Sequence, residues 1–384
     1  MEVAQSHRLR VGLSTTPIEY VLNQGRLDGI GVYTKALMND LPDAGCDVQG
    51  FSYPQLGKSG LTRRFSAGQP MQRSFQMQSM RDMLLRDPLQ NSSPVDVFHA
   101  TDYRIVRMSC PVVATLHDAI PLKFPEWCNP RLRSLKNWLQ KRAAQQADQV
   151  IALSNYAVTE LVEYFSIDAR KITVVPCGVG GIWQQTPDPL EVHQTLAAYG
   201  LEPGYFLFVG TLQPRKNIER IIDAYLGLPA EVRRERQCVI VGRASWRCEE
   251  LIGKIRAAIQ NGERLVWLEQ VSSQTQLRHL YAGAGVFVFP SLYEGFGIPV
   301  VEAFASGTPV LTSNTTSLPE VSQGAALEVN PLQVADIGHA MLELVRDDAL
   351  RQRCITAGRQ RAAELTWQRT ARETAAVYHR LVRS

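Results

Sequence analysis

The stretch Tyr293-Glu294-Gly295-Phe296-Gly297-Ile298-Pro299-Val300-Val301-Glu302 decides the fold of this chain. It follows an apolar run at residues 286–291 that is typical of a buried strand. Pro299 stands where the first turn of a helix accepts a proline. The pattern therefore predicts a strand, a glycine-rich loop and a helix whose N-terminal N–H groups can bind an anion. With Glu294 on the loop and Glu302 one to two turns into the helix, the stretch suits a ligand that carries both hydroxyl groups and phosphate, such as a sugar nucleotide.

Strands and helices alternate along the chain on either side of this stretch. The first half contains predicted strands at residues 8–14, 95–99, 112–116, 149–153 and 172–176, and a helical stretch at about 130–147. A composition break at 180–194 precedes further strands at 205–210, 237–242, 265–268, 286–289 and 309–312. This alternation is typical of parallel sheets with helices on both faces. We therefore predict an α/β chain of two doubly wound, Rossmann-like domains facing a cleft, with ligands outside the carboxyl ends of the strands.

The bulk composition argues against several classes of protein. The 384 residues are 45% hydrophobic and 20% charged, which is ordinary for two globular domains. No apolar run reaches the length of a membrane span, and residues 1–10 lack the apolar core of a signal peptide, so we expect a cytoplasmic protein. The seven cysteines are scattered without a CxxC pair, which favours reduced thiols over a zinc site. The net charge of +4 is too small to indicate a nucleic-acid partner.

The positive excess lies within residues 1–185 and is densest at residues 58–86. The cations there are Lys58, Arg63, Arg64, Arg73, Arg81 and Arg86. They face a single acid, Asp82, and alternate with large apolar residues. Such a segment can lie on an anionic membrane surface, which predicts a peripheral position at the inner face of the plasma membrane. It can equally be the solvated face of an ordinary helix.

A second motif is Gly210-Thr211-Leu212-Gln213-Pro214-Arg215-Lys216-Asn217, at a predicted strand-to-helix turn. Arg215 offers a bidentate fork and Lys216 a point charge, and both suit phosphate oxygens. The alternative is a solvated pair at the start of a helix. Because cations at that end oppose the helix dipole, a bound anion explains the pair better.

Weaker candidates lie in the first half. The run Asp28-Gly29-Ile30-Gly31 precedes a predicted helix, and its glycines allow close approach of a ligand or form an ordinary turn. His117-Asp118 ends the predicted strand at 112–116, which favours contact with a sugar hydroxyl or an acceptor. His99 also ends a strand, which makes it a candidate for contact with an acceptor or sugar, although a histidine there is more often structural. Ser154 is by default a helix cap, with ligand contact as the alternative.

Together these motifs give a family resemblance. From about Val11 to Glu373 the chain resembles the retaining glycosyltransferases of family 4, which have the two-domain GT-B fold. The resemblance is most specific at residues 209–217 and 290–302, and Gly307-Thr308-Pro309-Val310 and Ser317-Leu318-Pro319-Glu320-Val321 also fit. It implies an acceptor-binding domain at residues 1–185, a nucleotide-sugar domain at 186–360 and terminal helices at 361–384 that cross back to the first domain.

The resemblance also implies roles for single residues. Glu294 would contact the hydroxyls of the donor sugar, and Glu302 would hold the ribose of the nucleotide. Arg215 and Lys216 would neutralise the diphosphate, and His117 would lie beside the donor sugar. Backbone at Gly29, Ile30, Gly31, Gly210, Phe296 and Gly297 would approach the donor.

The resemblance further implies the reaction. Charge on the departing diphosphate would be stabilised by the two cations, so no metal ion or other cofactor is expected. The phosphate would take the acceptor proton, and the anomeric configuration would be retained. The stretch His117-Asp118-Ala119-Ile120-Pro121 is similar to bacterial mannosyltransferases of polysaccharide assembly, which favours GDP-mannose as donor and a lipid-linked saccharide as acceptor.

Four alternatives remain at this point. A donor based on UDP would keep the fold and the mechanism. A sugar-nucleotide epimerase of the same fold would need acidic catalytic residues in the first domain. A phosphorylase-like enzyme would need a lysine for pyridoxal phosphate and a longer chain. A non-catalytic partner subunit of a glycan-assembly complex should have lost the basic pair or Glu294, and this chain keeps both.

Overall fold

The computed structural model describes residues 8–20, 27–54, 66–89, 94–128, 132–245, 248–271 and 273–383. The chain divides into two compact units, one of Met1–Cys177 with Trp367–Ser384 and one of Gly178–Thr366. Each contains a parallel sheet with helices around it.

The first unit contains a seven-stranded sheet in the order β3-β2-β1-β4-β5-β6-β7. Its strands are β1 Leu9–Ser14, β2 Cys46–Ser52, β3 Gln69–Pro70, β4 Val97–Ala100, β5 Val112–Leu116, β6 Gln149–Ala152 and β7 Ile172–Val174. The described helices between these strands are α1 Gly29–Asp40, α2 Phe75–Leu85, α3 Ile120–Lys123, α4 Arg133–Gln145 and α5 Asn155–Phe165. Single 3-10 turns occur at Thr16–Ile18, Pro125–Trp127 and Ala169–Lys171.

The second unit contains a six-stranded sheet in the order β10-β9-β8-β11-β12-β13. Its strands are β8 Tyr205–Val209, β9 Cys238–Val241, β10 Leu265–Leu268, β11 Ala284–Phe289, β12 Val310–Ser313 and β13 Leu327–Val329. Its helices are α6 Gly181–Gln184, α7 Pro189–Ala198, α8 Ile218–Leu226, α9 Ala230–Glu235, α10 Glu249–Gln260, α11 Gln274–Gly283, α12 Ile298–Ala305, α13 Leu318–Ser322, α14 Val334–Arg346 and α15 Asp348–Glu364. A 3-10 turn at Pro214–Lys216 precedes α8.

The predicted strands are present in both sheets, with small shifts at their ends. Central strands such as Val112–Leu116 are buried along their whole length, which is why they read as uninterrupted apolar runs. The sequence prediction missed β2, β3 and β13. In β2 the residues Asp47, Gln49 and Gly50 interrupt the apolar pattern, so pairing with β1 rather than local sequence decides that strand.

The unit boundaries differ from the sequence expectation of 185 and 361. The first unit ends at Cys177, because α6 already packs into the second unit through the buried Trp183, whose ring meets Tyr281 edge-on at 5.4 Å. Helix α15 also stays in the second unit, where Gly358 lies against the ring of Phe304. Only the last helix, α16 Trp367–Arg383, joins the first unit.

Helix α16 packs on the first unit with one face. Its buried residues recur at helical spacing and are Trp367, Thr370, Ala371, Thr374, Ala375, Val377 and Tyr378. Tyr378 reaches His99 of β4, with 2.6 Å between its hydroxyl and Nδ1.

Within the described residues, no helix is both long and apolar enough to span a membrane.

Two glycines let neighbouring strands end side by side in the second unit. Gly210 follows β8 and Gly242 follows β9, with φ values of 157° and 152°. A Cβ atom at Gly242 would lie 1.9 Å from the carbonyl oxygen of Gly210. The loop after β8 can therefore follow this path because residue 242 is a glycine and has no Cβ atom.

We predict that Gly242→Ala displaces the Gly210 loop and lowers the stability of the second unit, by about 2–4 kcal/mol for a forced clash and a strained φ. Urea unfolding measures the loss. The control is Gly253→Ala in α10, where no atom lies within 4 Å of the added carbon. This control should be neutral or stabilising because alanine favours a helix over glycine. Equal stability of the two variants would contradict the prediction.

Candidate functional site

The two motifs of the second unit meet at the carboxyl edge of its sheet. Strands β8 and β11 are neighbours, and the order of strands reverses between them. The turn at Pro214–Lys216 follows β8, and the loop before α12 follows β11. The backbone N–H of Leu292 donates to the carbonyl of Arg215 at 2.7 Å and ties the loops together. Ligands of doubly wound sheets bind at such a reversal point.

Glu294 forms ion pairs with both cations of the other motif. Nη1 of Arg215 lies 2.8 Å from Glu294 Oε2, and Nζ of Lys216 lies 2.6 Å from Oε1. Glu294 and Lys216 are buried, whereas Arg215 is partly exposed. Nζ of Lys216 also lies 4.7 Å from the centre of the Phe289 ring. We call Arg215, Lys216 and Glu294 the basic cluster.

The basic cluster carries one net positive charge. Burial alone raises the pKa of the Glu294 carboxyl, but the charges of Arg215 and then Lys216 bring it below its usual range. The carboxylate therefore stays ionised and offsets one of the two cations. A buried carboxylate paired in this way also holds both cations at the end of β8. The remaining positive charge suits an anion that reaches Arg215 from solvent.

Glu302 has the opposite electrostatic environment. It is buried in α12 and accepts a hydrogen bond from the Tyr281 hydroxyl at 3.1 Å. No ion pair to it occurs within the described residues. Burial therefore raises the pKa of Glu302 to about 7. Two carboxyl groups eight residues apart thus differ in charge at neutral pH, because only one of them has cationic partners.

The loop between Glu294 and α12 is held by two residues of the quoted motifs to which the sequence analysis gave no role. The hydroxyl of Ser317 donates to the carbonyls of Glu294 and Phe296, at 2.9 and 3.0 Å. Gly297 has φ 111° and stands directly before the first residue of α12. Asn217 has φ 60°, and its amide nitrogen donates to the carbonyls of Pro290 and Pro331 at 2.9 and 2.7 Å. The only sequence signal for Asn217 was its position after the basic pair.

The glycines of the first unit lie inside a helix rather than before it. Helix α1 begins at Gly29, and Asp28 caps it by accepting from the N–H of Gly31 at 2.8 Å. That N–H is therefore already used by the protein. At Gly29 no atom lies within 4 Å of an added Cβ, so this position is open. Donor contact by Gly29, Ile30 and Gly31 stays a prediction.

His117 ends β5 as predicted and lies close to other polar groups. Its Nε2 lies 2.9 Å from the carbonyl of Thr101, so Nε2 carries the proton and donates. Its ring meets Tyr33 edge-on at 5.2 Å. Burial lowers the pKa of His117, which leaves a neutral imidazole with Nδ1 as an acceptor. Asp118 accepts from the hydroxyl of Tyr103 at 2.8 Å and starts the turn into α3.

Two other candidates serve the fold. His99 is fully buried, with Nδ1 on the Tyr378 hydroxyl and Nε2 2.8 Å from the hydroxyl of Thr115. Burial lowers its pKa to about 3, and both ring nitrogens already have partners in the protein, which favours a structural role. Contact with an acceptor or sugar stays a prediction. Ser154 caps α5 by accepting from the N–H of Ala157 at 3.1 Å and is buried, which is its default role.

The first unit also contains a buried carboxylate that sequence reasoning missed. Glu19 follows β1 and is fully buried. It accepts hydrogen bonds from the hydroxyl of Ser52 at 2.6 Å and from the backbone N–H groups of Ser66 and Ala67 at 2.8 and 3.2 Å. Glu19 therefore fixes the segment that leads into β3. Its sequence signal is weak because a single glutamate in a loop normally lies in solvent.

The basic segment at 58–86 is described only from residue 66 onward, so Lys58, Arg63 and Arg64 lie outside the described residues. Helix α2 exposes the side chains of Met77, Met80, Leu84 and Leu85. Arg73 and Arg81 both approach Asp87, at 3.6 and 2.7 Å. Part of the positive charge of the segment is thus neutralised by Asp87, the residue that follows it. In the described part of the chain, no group of three or more His, Cys, Asp or Glu is arranged to hold a metal ion.

Comparison with solved structures identifies the fold. Sucrose-phosphate synthase of Thermosynechococcus elongatus superimposes with a TM-score of 0.74 at 19% identity, over 97% of this chain and 99% of that one. HepE of Anabaena in complex with UDP gives 0.70 at 16% identity, over 97% and 100%. At these identities the likeness shows the fold alone, and it confirms two Rossmann-like domains of the GT-B type.

Comparison of sequences identifies the family. Residues 198–361 match the family Glycosyl transferases group 1, and residues 27–180 match Glycosyltransferase Family 4. The O-antigen chain mannosyltransferase B of Escherichia coli is 30% identical over 288 residues, which cover 73% of this chain and 74% of that protein. The MMP alpha-(1->4)-mannosyltransferase of Mycolicibacterium hassiacum is 26% identical over 410 residues, covering 92% and 95%. The chain therefore belongs to the group 1 and family 4 glycosyltransferases and is a glycosyltransferase enzyme.

Proposed function

We propose that the protein is a retaining hexosyltransferase that moves mannose from GDP-mannose to a lipid-linked saccharide during assembly of a cell-surface polysaccharide. The observation that carries this proposal is the basic cluster, with one net positive charge at the reversal point of the second sheet. The choice of mannose rests on the two mannosyltransferases to which the chain is similar.

In the proposed reaction the basic cluster stabilises the leaving group. The bond from the sugar C1 to the diphosphate oxygen breaks, and the acceptor oxygen bonds to C1 on the same face. The acceptor proton passes to a departing phosphate oxygen, so a protein base is not needed. Arg215 and Lys216 offset the charge that develops on the diphosphate, which is the effect that oxyanion-stabilising groups have. Glu294 then hydrogen-bonds the sugar hydroxyls. Contact of His117 with the donor sugar stays a prediction of the family resemblance.

The nucleotide part of the donor would contact α12. Phe296 and Gly297 precede this helix, and the backbone N–H groups of its first turn suit phosphate oxygens. Gly210 has no side chain to block a diphosphate beside the turn at Pro214–Lys216. Glu302 would accept hydrogen bonds from the ribose hydroxyls, which favours its ionised form.

The runner-up donor is a UDP-sugar, because the geometry of a diphosphate site does not depend on the base. The sequence also left open a non-catalytic partner subunit, which does not agree with membership of the glycosyltransferase enzymes. The intact basic cluster argues against this role, since a subunit without turnover has no need to keep a buried carboxylate and two cations together.

Thermal unfolding with GDP, UDP, ADP and GDP-mannose tests the function. We expect GDP and GDP-mannose alone to raise the melting temperature, because a ligand at 100 times its Kd stabilises the folded state by about 2.7 kcal/mol. Stabilisation by UDP alone would replace the donor in this proposal. Absence of any effect would contradict the proposed donor.

The variant Lys216→Ala connects that binding to the basic cluster. Turnover should fall by about 10²- to 10³-fold, the usual effect of removing one oxyanion-stabilising group, and stabilisation by GDP should weaken. Lys254→Ala is the control, because that lysine pairs with Asp223 in the partly exposed surface. Unimpaired turnover of Lys216→Ala would contradict the proposed role.

Glu302 predicts a pH dependence of stability. Its pKa is about 7 in the folded protein against 4.5 for a free glutamate, so the folded state binds the proton more tightly. Stability should therefore fall as pH rises from about 4.5 to 7, by roughly 3 kcal/mol. Glu302→Gln resembles the protonated group and should be more stable than wild type above pH 7 and similar below pH 4.5. Urea unfolding across this range measures the difference, with the exposed Glu235→Gln as control. If the difference in stability between Glu302→Gln and wild type did not change with pH, titration of Glu302 would be ruled out as its cause.

We also propose that residues 58–86 bring the enzyme to an anionic membrane, where a lipid-linked acceptor lies. The exposed apolar side chains of α2 support this, although its paired cations reduce the attraction. Replacing Leu84 and Leu85 by serine should reduce co-sedimentation with phosphatidylglycerol vesicles. Leu190→Ser, which changes an exposed leucine of the second unit, is the control. If the Leu84 and Leu85 variant sedimented with the vesicles as well as the Leu190→Ser control does, α2 would be excluded as the membrane-binding surface.

A further inference from the structure

A cavity of about 840 Å³ lies within the second unit, at the opposite end of α12 from the basic cluster. Its walls come from residues 184–196, from the C-terminal ends of α11 and α12, and from α15. A volume of this order is typical of small-molecule sites. None of the residues that line it belongs to the site described above.

The charged groups that line this cavity are all basic. They are Arg278 and Arg359, and the lining contains no Asp or Glu. Arg278 is only 8% exposed, its Nη1 donates to the carbonyl of Ile182 at 2.6 Å, and its Nε has no partner. Among the described residues no carboxylate forms an ion pair with it. A guanidinium keeps its charge in proteins, and a buried charge without a counter-charge is costly.

One further group can donate to a ligand in this cavity. The guanidinium of Arg359 lies directly beside Gly307, where a Cβ would be 2.5 Å from its Nη2. Gly307, with φ 71°, therefore leaves the space that this guanidinium occupies.

The helix ends do not remove the positive excess. The C-terminal ends of α11 and α12 each contribute about half a negative charge at the cavity. Together they offset about one of the two guanidinium charges. Gln184, Gln185 and Thr186 add neutral polar groups to the wall. Its apolar part includes Val192, Leu196, Pro203, Ala282, Ala305, Ala362 and Ala363.

We propose that this cavity binds a small organic oxyanion, a phosphate or a carboxylate, distinct from the sugar donor. Arg278 and Arg359 hold the anionic group, and the apolar part of the wall contacts the rest of the ligand. Guanidinium groups suit both anions because their parallel N–H bonds match two oxygens. The inference does not depend on which nucleotide sugar the enzyme uses.

Thermal unfolding of the full chain, titrated with inorganic phosphate or succinate against chloride at constant ionic strength, tests the proposal. We expect a saturable rise in melting temperature with at least one of the two anions, and the anion that acts identifies the ligand class. Arg278→Gln and Arg359→Gln should each raise the apparent Kd at least tenfold. Lys216→Ala should leave the effect in place, which separates this cavity from the basic cluster.

The control variant is Arg353→Gln, which changes an exposed arginine of α15 outside the cavity. If Arg278→Gln fails to fold, Arg359→Gln decides, because Arg359 is exposed and its loss leaves the core intact. The proposal is overturned if neither anion gives a saturable effect. It is also overturned if Lys216→Ala abolishes the effect while the cavity variants keep it.

Discussion

The second unit depends on one carboxylate that is shared between two cations. Glu294 arrives on the loop after β11, and Arg215 and Lys216 arrive on the turn after the neighbouring strand β8. Removing one partner of a buried pair typically costs about 3–5 kcal/mol, so the three side chains hold the two loops in one geometry. The hydrogen bonds of Ser317 and Asn217 then fix the backbone on either side.

The pairing of Glu294 with two cations also gives Glu294 and Glu302 different pKa values. Glu294 stays ionised because two cations face it, whereas Glu302 is held near neutrality by burial and one tyrosine hydroxyl. The first can orient a ligand at any ordinary pH. The second changes its charge close to physiological pH, so a ligand that needs its carboxylate also stabilises the form that burial disfavours.

In the first unit, the corresponding edge of the sheet is organised by neutral groups. Hydrogen bonds connect Tyr378, His99, Thr115 and Tyr33 in a buried chain. Helix α16 contributes Tyr378, which stands at one end of this chain of hydrogen bonds. The helix therefore belongs to the core of the first unit, although the second unit separates it in sequence from the rest of the first unit. His117 is placed beside this chain with one ring nitrogen as an acceptor.

The sequence by itself determined the fold class, the family, the basic pair and both glutamates, because apolar strands, glycine turns and ligand groups follow one another locally in doubly wound sheets. Tertiary structure alone decided that Glu294 pairs with Arg215 and Lys216, since this contact spans almost eighty residues and needs β8 beside β11. It alone made His99 a core residue, through a tyrosine 279 positions away. It also moved the unit boundaries, because α6 and α15 bury their side chains in the second unit. Local sequence states which groups are present, and packing decides which of them face a ligand.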